Sequence, residues 1–386
     1  MTRNDTFTEN RTMEENIFVM PWWQQGLFIT AFVILFLVAT VGNLIVIWIV
    51  LAHKRMRTVT NYFLVNLAVA DALISVLNTL FTSTFLMYQD WWYGLAWCKF
   101  TTFISVCTVA ASVLTLMAIA IDRYLAIVHP LRPRPTSRVV LAISCIWSVS
   151  ILLASPNLLY GNEVFYANST QITCTLVWPD GQPSVSDIDL WYNVIVIIVS
   201  YVVPMLILII TYTRVGIELW GQKAIGENTH VQYDRIQSKR RVVKMMIFVV
   251  IVFGICWLPY HLYFLIVSAI KEISLNRYMQ QVYLVIYWIA MSNSMYNPII
   301  YCWMNNRFRQ GFVEVFCSCP CRPCKRLKQK HGHENTFTAV GTYAMTEKYQ
   351  ERNGSVLQSV TYYNGNQTKK NGSEKMECFS DDEYCL

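Results

Sequence analysis

Residues 98–128 read CKFTTFISVCTVAASVLTLMAIAIDRYLAIV, from Cys98 to Val128. Between Phe100 and Ile121 there is no charged residue, and at about 1.5 Å of rise per residue a helix of that length crosses a hydrocarbon core of about 30 Å. The stretch therefore reads as a membrane-spanning helix. Its two ends carry different chemistry: Cys98 beside Lys99 at one, and the adjacent pair Asp122 and Arg123, followed by Tyr124, at the other. A span with a tether point on one side and a charge pair on the other has the layout of a signal conductor.

The rest of the chain repeats this pattern. Hydrophobic residues make up 54% of the 386 and charged residues only 14%, where a soluble domain carries about a quarter charged. Apolar segments run roughly from Leu27 to Leu51, Tyr62 to Tyr88, Cys98 to Val128, Val139 to Leu159, Trp191 to Leu219, Val242 to Ala269 and Met279 to Met304. In lipid every backbone group must bond within its own segment, so the expected fold is an all-α membrane protein, a bundle of seven spanning helices. The net charge of +7 is uneven. Lys54, Arg55 and Arg57 follow the first segment, Arg132, Arg134 and Arg138 the third, and Lys239, Arg240, Arg241 and Lys244 precede the sixth. The positive-inside bias makes that face cytoplasmic, with the N-terminus outside and the C-terminus inside.

This layout divides the chain. Residues 1–26 form a short external tail, expected to be glycosylated at Asn4 and Asn10, and a third sequon, Asn168-Ser169-Thr170, lies in the external link before the fifth segment. Residues 27–304 are the spanning domain. In residues 305–324 the piece from Asn305 to Phe316 places Phe308, Phe312, Val315 and Phe316 on one helical face, which suits a short interfacial eighth helix. Residues 325–386 turn to Lys, Asn, Ser, Thr and Gly and are expected to be a disordered cytoplasmic tail. Pro156, Pro204, Pro259 and Pro298 fall inside spans, where each removes a helical hydrogen bond and loosens the helix. Of the twelve cysteines, Cys107, Cys145, Cys256 and Cys302 fall in apolar runs and read as packed thiols. Cys98 and Cys174 lie in external segments where oxidation is permitted, and are paired on that ground. The cluster from Cys317 to Cys324 has no histidine at finger spacing; palmitoylation at Cys317 and Cys319 is favoured over metal binding.

Polar residues inside the spans need partners. Asp71, in NLAVADALIS, costs a few kcal/mol in lipid unless it faces the bundle interior. Asn43, Ser112, Asn293, Ser294 and Asn297 lie at matching depth. Such a set of oxygens is expected to titrate or to bind a sodium ion, against the plainer alternative of a structural hydrogen-bond cluster. Arg123 is expected to hold Asp122 as an exposed pair worth about 0–1 kcal/mol, exchangeable and so better suited to switching than to bracing.

Taken together, Gly42-Asn43, LAVAD ending at Asp71, Cys98, Asp122-Arg123-Tyr124, Trp147, Pro204, CWLP from Cys256 to Pro259 and NPIIY from Asn297 to Tyr301 resemble the rhodopsin-like (class A) G-protein-coupled receptors. HPLRPR from His129, VWPDG from Val177, TRVGIELWG from Thr213, SKRRVVKMM from Ser238, CWLPYHLYFL from Cys256 and MSNSMYNPIIYCWMNNRFRQGF from Met291 narrow the likeness to the tachykinin (neurokinin) receptors, WGQK and WMNNRFR being most similar to their invertebrate branch, which includes receptors for natalisin peptides. The resemblance implies the same disulfide and an amidated neuropeptide bound in the outer half of the bundle. It also implies that Trp257 above Pro259 rotates and that Arg123, Tyr212 and Tyr301 regroup as a cytosolic cleft opens for a heterotrimeric G protein of the phospholipase C/calcium pathway. Arrestin and a receptor kinase are expected further partners, with the membrane lipid. Asn78, His261, Phe264 and Tyr283 keep the residue types of the family's ligand contacts; Gln89 and Asn157 stand where related amides occur, and Asn193 replaces a histidine. Many rhodopsin-like receptors hold the arginine of the third helix with an acid on the sixth; here that position is Lys239, so no such lock forms and a ligand-free signal is expected.

Other readings fare worse. A transporter would show internal repeats, a retinal photosensor needs a lysine between Met279 and Met304, and an amine receptor wants an acid where Ser105 stands. An intramembrane enzyme needs a nucleophile and base or metal ligands on facing helices, and His261 lacks such company.

Overall fold

The computed structural model describes residues 20–129, 135–165, 171–181, 186–221, 230–269, 278–316, 344–352 and 355–363. The glycosylation sequons, Cys317 and Cys319 lie outside them. In chain order the helices are α1 (Trp22–Ala52), α2 (Val59–Tyr88), α3 (Gly94–Val128), α4 (Thr136–Tyr160), α5 (Asp187–Gly221), α6 (His230–Ala269), α7 (Met279–Met304) and α8 (Asn306–Phe316). The first six contain stretches long and apolar enough to cross a membrane. α7, at 26 residues, is long enough but carries Asn293, Ser294 and Asn297, all buried. Its polarity faces protein rather than lipid.

Several helices run beyond their apolar runs. Among the described residues α6 is already helical at His230, twelve residues before the apolar run starts at Val242, because a polar, basic helix continues on the cytosolic side where water satisfies its surface.

Two helices contain a π turn, Ser75–Thr79 in α2 and Ile198–Val202 in α5. The second stands just before Pro204, whose missing N–H leaves the carbonyl of Ser200 without its helical donor. The first has no proline; there the Ser75 hydroxyl bonds the carbonyl of Asp71 at 2.8 Å and the Thr79 hydroxyl that of Ile74 at 3.2 Å. Side-chain hydroxyls that compete for carbonyls loosen the ladder as a proline would.

Pro298 removes the donor for Ser294, and the vacancy is filled from another helix: Asn43 Nδ2 donates to the Ser294 carbonyl at 2.9 Å and to its own Ala39 carbonyl at 2.8 Å. The close approach this needs is granted by Gly42, where a Cβ would stand 2.9 Å from Pro298 Cβ. Pro156 is served locally, the Ser155 hydroxyl taking the freed carbonyl of Leu152 at 2.8 Å. Across α2, α3 and α4, Trp147 Nε1 donates to Asn66 at 2.9 Å and Asn66 donates to Thr115 at 2.7 Å.

The external link holds a hairpin the sequence reading did not resolve, β1 (Gly161–Phe165) antiparallel to β2 (Ile172–Leu176), with Glu163 opposite Cys174. The Cys98–Cys174 disulfide ties it to the top of α3. Of the cysteines read as packed thiols, Cys107 and Cys256 are buried, but Cys145 faces outward from α4.

In α8, Phe308 and Phe312 are buried while Phe316 is exposed. In the second compact unit of the chain, a further antiparallel hairpin pairs β3 (Ala344–Arg352) with β4 (Ser355–Tyr363). This hairpin falls within the stretch 325–386 whose composition gave the expectation of disorder. In the sequence, Asn353-Gly354, a pair that favours a two-residue hairpin turn, separates AMTEKYQER from SVLQSVTYY, and only the second is rich in Val, Thr and Tyr.

Candidate functional site: an aromatic outer pocket above a buried polar row

The outer site is built by α2, α5, α6 and α7. Two residues after Pro259, His261 is buried against Tyr201 at 4.8 Å between ring centroids and Trp257 at 6.0 Å. Phe264 lies 4.9 Å from Tyr260 and 6.0 Å from Tyr283; Tyr263 and Tyr283 are 4.8 Å apart. The aromatic periodicity of CWLPYHLYFL thus forms one wall with Tyr283 of α7. Asn78, carried inward on the π turn of α2, is 2% exposed and donates to Tyr287 at 3.1 Å while accepting from Thr82 at 2.9 Å.

The other amides expected to meet ligand are arranged less openly. Gln89 has positive φ at the C-terminus of α2 and donates to the Leu86 carbonyl at 2.9 Å. It works as a helix stop, joined there by Gln280 of α7, which bonds the same carbonyl at 2.9 Å. Asn157 is buried and bonded to the Tyr192 hydroxyl. Asn193 donates to Asp189 Oδ2 at 3.0 Å, and Trp178 Nε1 donates to its other oxygen at 2.7 Å. These residues pin the VWPDG turn to the top of α5, where Trp178 also stacks on Tyr160 at 4.8 Å and Tyr192 at 5.3 Å. Asp180 accepts from the Ser186 hydroxyl and, at 3.0 Å, from the Ile188 N–H. Those donors hold its carboxyl below the usual carboxylate range. At the opposite end of the hairpin Asp90 accepts from the Ile172 N–H at 2.9 Å and Trp92 Nε1 at 2.6 Å. Sequence reasoning missed Asp90, Trp178 and Tyr192; the alternation of acids with tryptophans was the available signal.

Below the aromatic wall lies a cavity of about 10 Å³ lined among others by Asp71, Ser112, Trp257, Asn293 and Ser294. That is about one water or one small ion. Asp71 is 1% exposed; Ser112 and Ser294 donate to its Oδ1 at 3.1 and 3.2 Å and Asn297 to its Oδ2 at 2.7 Å. Among the described residues Trp257 Nε1 has no protein acceptor, which fits a water or hydrated ion in the cavity. Asn43, expected to touch Asp71, instead bonds backbone on α1 and α7; the cluster is smaller than the sequence implied because Pro298 draws that amide away.

At the cytoplasmic end Arg123 pairs with Asp122 at 3.0 Å, and the Thr60 hydroxyl donates to the same oxygen at 2.6 Å. Asp122 is only 7% exposed, so the pair expected to be solvent-exposed is half inside protein, packed under the start of α2, and braces more firmly than a surface pair. Tyr124 stacks edge-on against His129 at 5.8 Å. Tyr212 and Tyr301 are buried, with Tyr212 in electrostatic reach of both Arg123 and Tyr301. Polar groups thus descend from the outer pocket to the inner arginine through Trp257, Asp71, Asn297, Tyr301 and Tyr212.

Residues 42–301 match the model of the 7 transmembrane receptor (rhodopsin family). This chain belongs to that family. Within it, the receptor is 52% identical over 306 residues to the Tachykinin-like peptides receptor 99D of Drosophila melanogaster, covering 78% of this chain and 59% of that protein. It is 44% identical over 304 residues to the Tachykinin-like peptides receptor 86C of the same species, covering 78% and 60%. To the human Neuromedin-K receptor it is 46% identical over 306 residues, covering 79% and 64%. The receptor spans about three-fifths of the length of these curated relatives. The seven-helix bundle expected from hydropathy and the tachykinin-type resemblance both stand on these matches, and the receptor is a multi-pass membrane protein.

Proposed function

We propose that this chain is a plasma-membrane receptor for an amidated neuropeptide of the tachykinin type, with its N-terminus outside, and that peptide binding opens a cytoplasmic cleft which activates a heterotrimeric G protein. The observation that carries the reading is the placement of the aromatic wall at His261, Phe264 and Tyr283 next to Trp257, which borders the Asp71 cavity, with the Asp122–Arg123 pair at the cytoplasmic end of α3. Two of its relatives, both from Drosophila melanogaster, are named for tachykinin-like peptides. The peptide's C-terminal amide meets Asn78, His261 and Tyr283; its strain is transmitted by Trp257, which borders the cavity. Asp71, Ser112, Asn293 and Ser294 supply the oxygens for a sodium ion there. Five external acids, Glu163, Asp180, Asp187, Asp189 and Glu272, are candidates for a cationic group on the peptide; Asp180 and Asp189 are engaged in holding their own loop, which favours Glu163 and Asp187, and Glu272 lies outside the described residues. Glycosylation at Asn4, Asn10 and Asn168, palmitoylation at Cys317 and Cys319, and arrestin and kinase binding complete the proposal.

The deciding experiment is a calcium assay in transfected cells against a panel of amidated tachykinin and natalisin peptides. A response to tachykinins that His261→Ala and Tyr283→Ala lower without lowering surface expression supports the reading. Silence to every peptide with normal surface expression contradicts it, and a response to natalisins alone moves the receptor to that ligand class.

A further inference from the structure

The basic run before the apolar part of α6 does more than set topology. Lys239, Arg241 and Lys244 are exposed, whereas Arg240 is half-buried. Its Nε and Nη2 both donate to the Leu219 carbonyl of α5, at 3.3 and 3.1 Å, and its guanidinium carbon stands 5.9 Å from the centre of the Trp220 ring. The Leu219 carbonyl lies at the cytoplasmic end of α5 as described, to Gly221, and an ionised donor such as a guanidinium makes the stronger, charge-assisted kind of hydrogen bond to it. A guanidinium is suited to that end: its planar fork places two N–H groups on one oxygen while its face lies on an indole.

We infer that Arg240 is a positioning residue that ties the cytoplasmic ends of α5 and α6 into one moving body. Both helices are loosened higher up, α5 by its π turn and Pro204 and α6 by Pro259. Between those points the Tyr201 hydroxyl donates to the Gly254 carbonyl at 3.0 Å, a second tie near the hinge. With Lys239 where an acid would hold α6 to Arg123, the end of α6 is fastened to α5 instead. The mechanical claim stands on this contact alone; its effect on nucleotide exchange rests on the receptor reading above.

The test is the distance distribution between spin-labelled non-canonical residues at the exposed positions Ile217 and Lys244, in the full-length protein in lipid nanodiscs. The Arg240 protein is expected to give one narrow distribution. Arg240→Ala broadens it and adds a longer distance, while Arg241→Ala, the same loss of charge one residue on, leaves it narrow. Arg240→Lys keeps the charge without the two-donor fork and broadens it as well, which keeps the test available should Arg240→Ala fold poorly. Narrow distributions in both Arg240 variants overturn the tie. In parallel, basal nucleotide exchange on added G protein is expected to change in Arg240→Ala and to be restored in part in Arg240→Lys. Altered distances with unaltered exchange would keep the tie and refute its role in signalling.

Discussion

Asn43 illustrates how far a single side chain can be understood here. An asparagine in an apolar helix invites the inference that it serves the nearest buried acid, yet its amide is spent on the carbonyl that Pro298 leaves without a donor. Asn43→Ala is therefore expected to leave that buried carbonyl unsatisfied and cost about 1–3 kcal/mol, read as a lower melting temperature in detergent. Gly42→Ala presses a Cβ to 2.9 Å from Pro298 and carries an overpacking cost of about 1–3 kcal/mol. Unchanged stability in both would show that the α1–α7 contact is slack. Asp71 was legible as an acid facing the bundle interior because a carboxylate turned to lipid is costly, and three of the partners expected for it do bond it. If sodium fills the cavity beside Trp257, linkage makes the ion oppose any peptide that displaces that ring. Peptide affinity should then be weaker in sodium than in a large organic cation, and Asp71→Asn should remove the difference. Equal affinities in the unsubstituted protein would reject the ion.

At the scale of elements, the spans were readable because apolar length alone specifies them, and their ends were not, because polar helix beyond the membrane carries no hydropathy signal. The hairpin of β1 and β2 escaped notice for a related reason: its strands are five residues each, and its position depends on distant groups. It is held by the disulfide across a sequence separation of 76, by Asp90 at one end and by Trp178 with Asp189 at the other. A cross-link over that separation is worth roughly 4 kcal/mol in the chain-entropy picture. Asp90→Ala, which frees the Ile172 N–H but spares the disulfide, is expected to lower peptide affinity several-fold with little loss of surface expression; unchanged affinity would mean the disulfide suffices. α8 offers a sharper case. A Cβ at Gly311 would meet three carbons of Ile49 at 2.7–2.9 Å, so Gly311→Ala should lower thermal stability and Ile49→Ala should restore part of it in the double variant. Additive losses would show that the two residues do not share a contact.

For the whole molecule, the sequence motifs pointed to the residues proposed as a switch but not to how firmly the structure holds them. The Asp122–Arg123 pair reads as a loose surface contact until Thr60 and the burial of Asp122 are seen; burial by a distant helix has no signature near residue 122. The absence of an acid at Lys239, by contrast, is plain in the sequence and predicts a ligand-free signal. Asp122→Asn is expected to enlarge it and Thr60→Val to do so more modestly, measured as second-messenger output without peptide. Output equal to that of untransfected cells in all three forms would remove this part of the account. The central claim is that an external peptide selects between two arrangements of one buried polar row. Nucleotide exchange by a purified heterotrimer, with the receptor in nanodiscs and an amidated tachykinin-type peptide added, addresses it most directly. The account predicts a several-fold acceleration by peptide that vanishes in Arg123→Ala while peptide binding persists; bound peptide with no acceleration of exchange on any heterotrimer would contradict it.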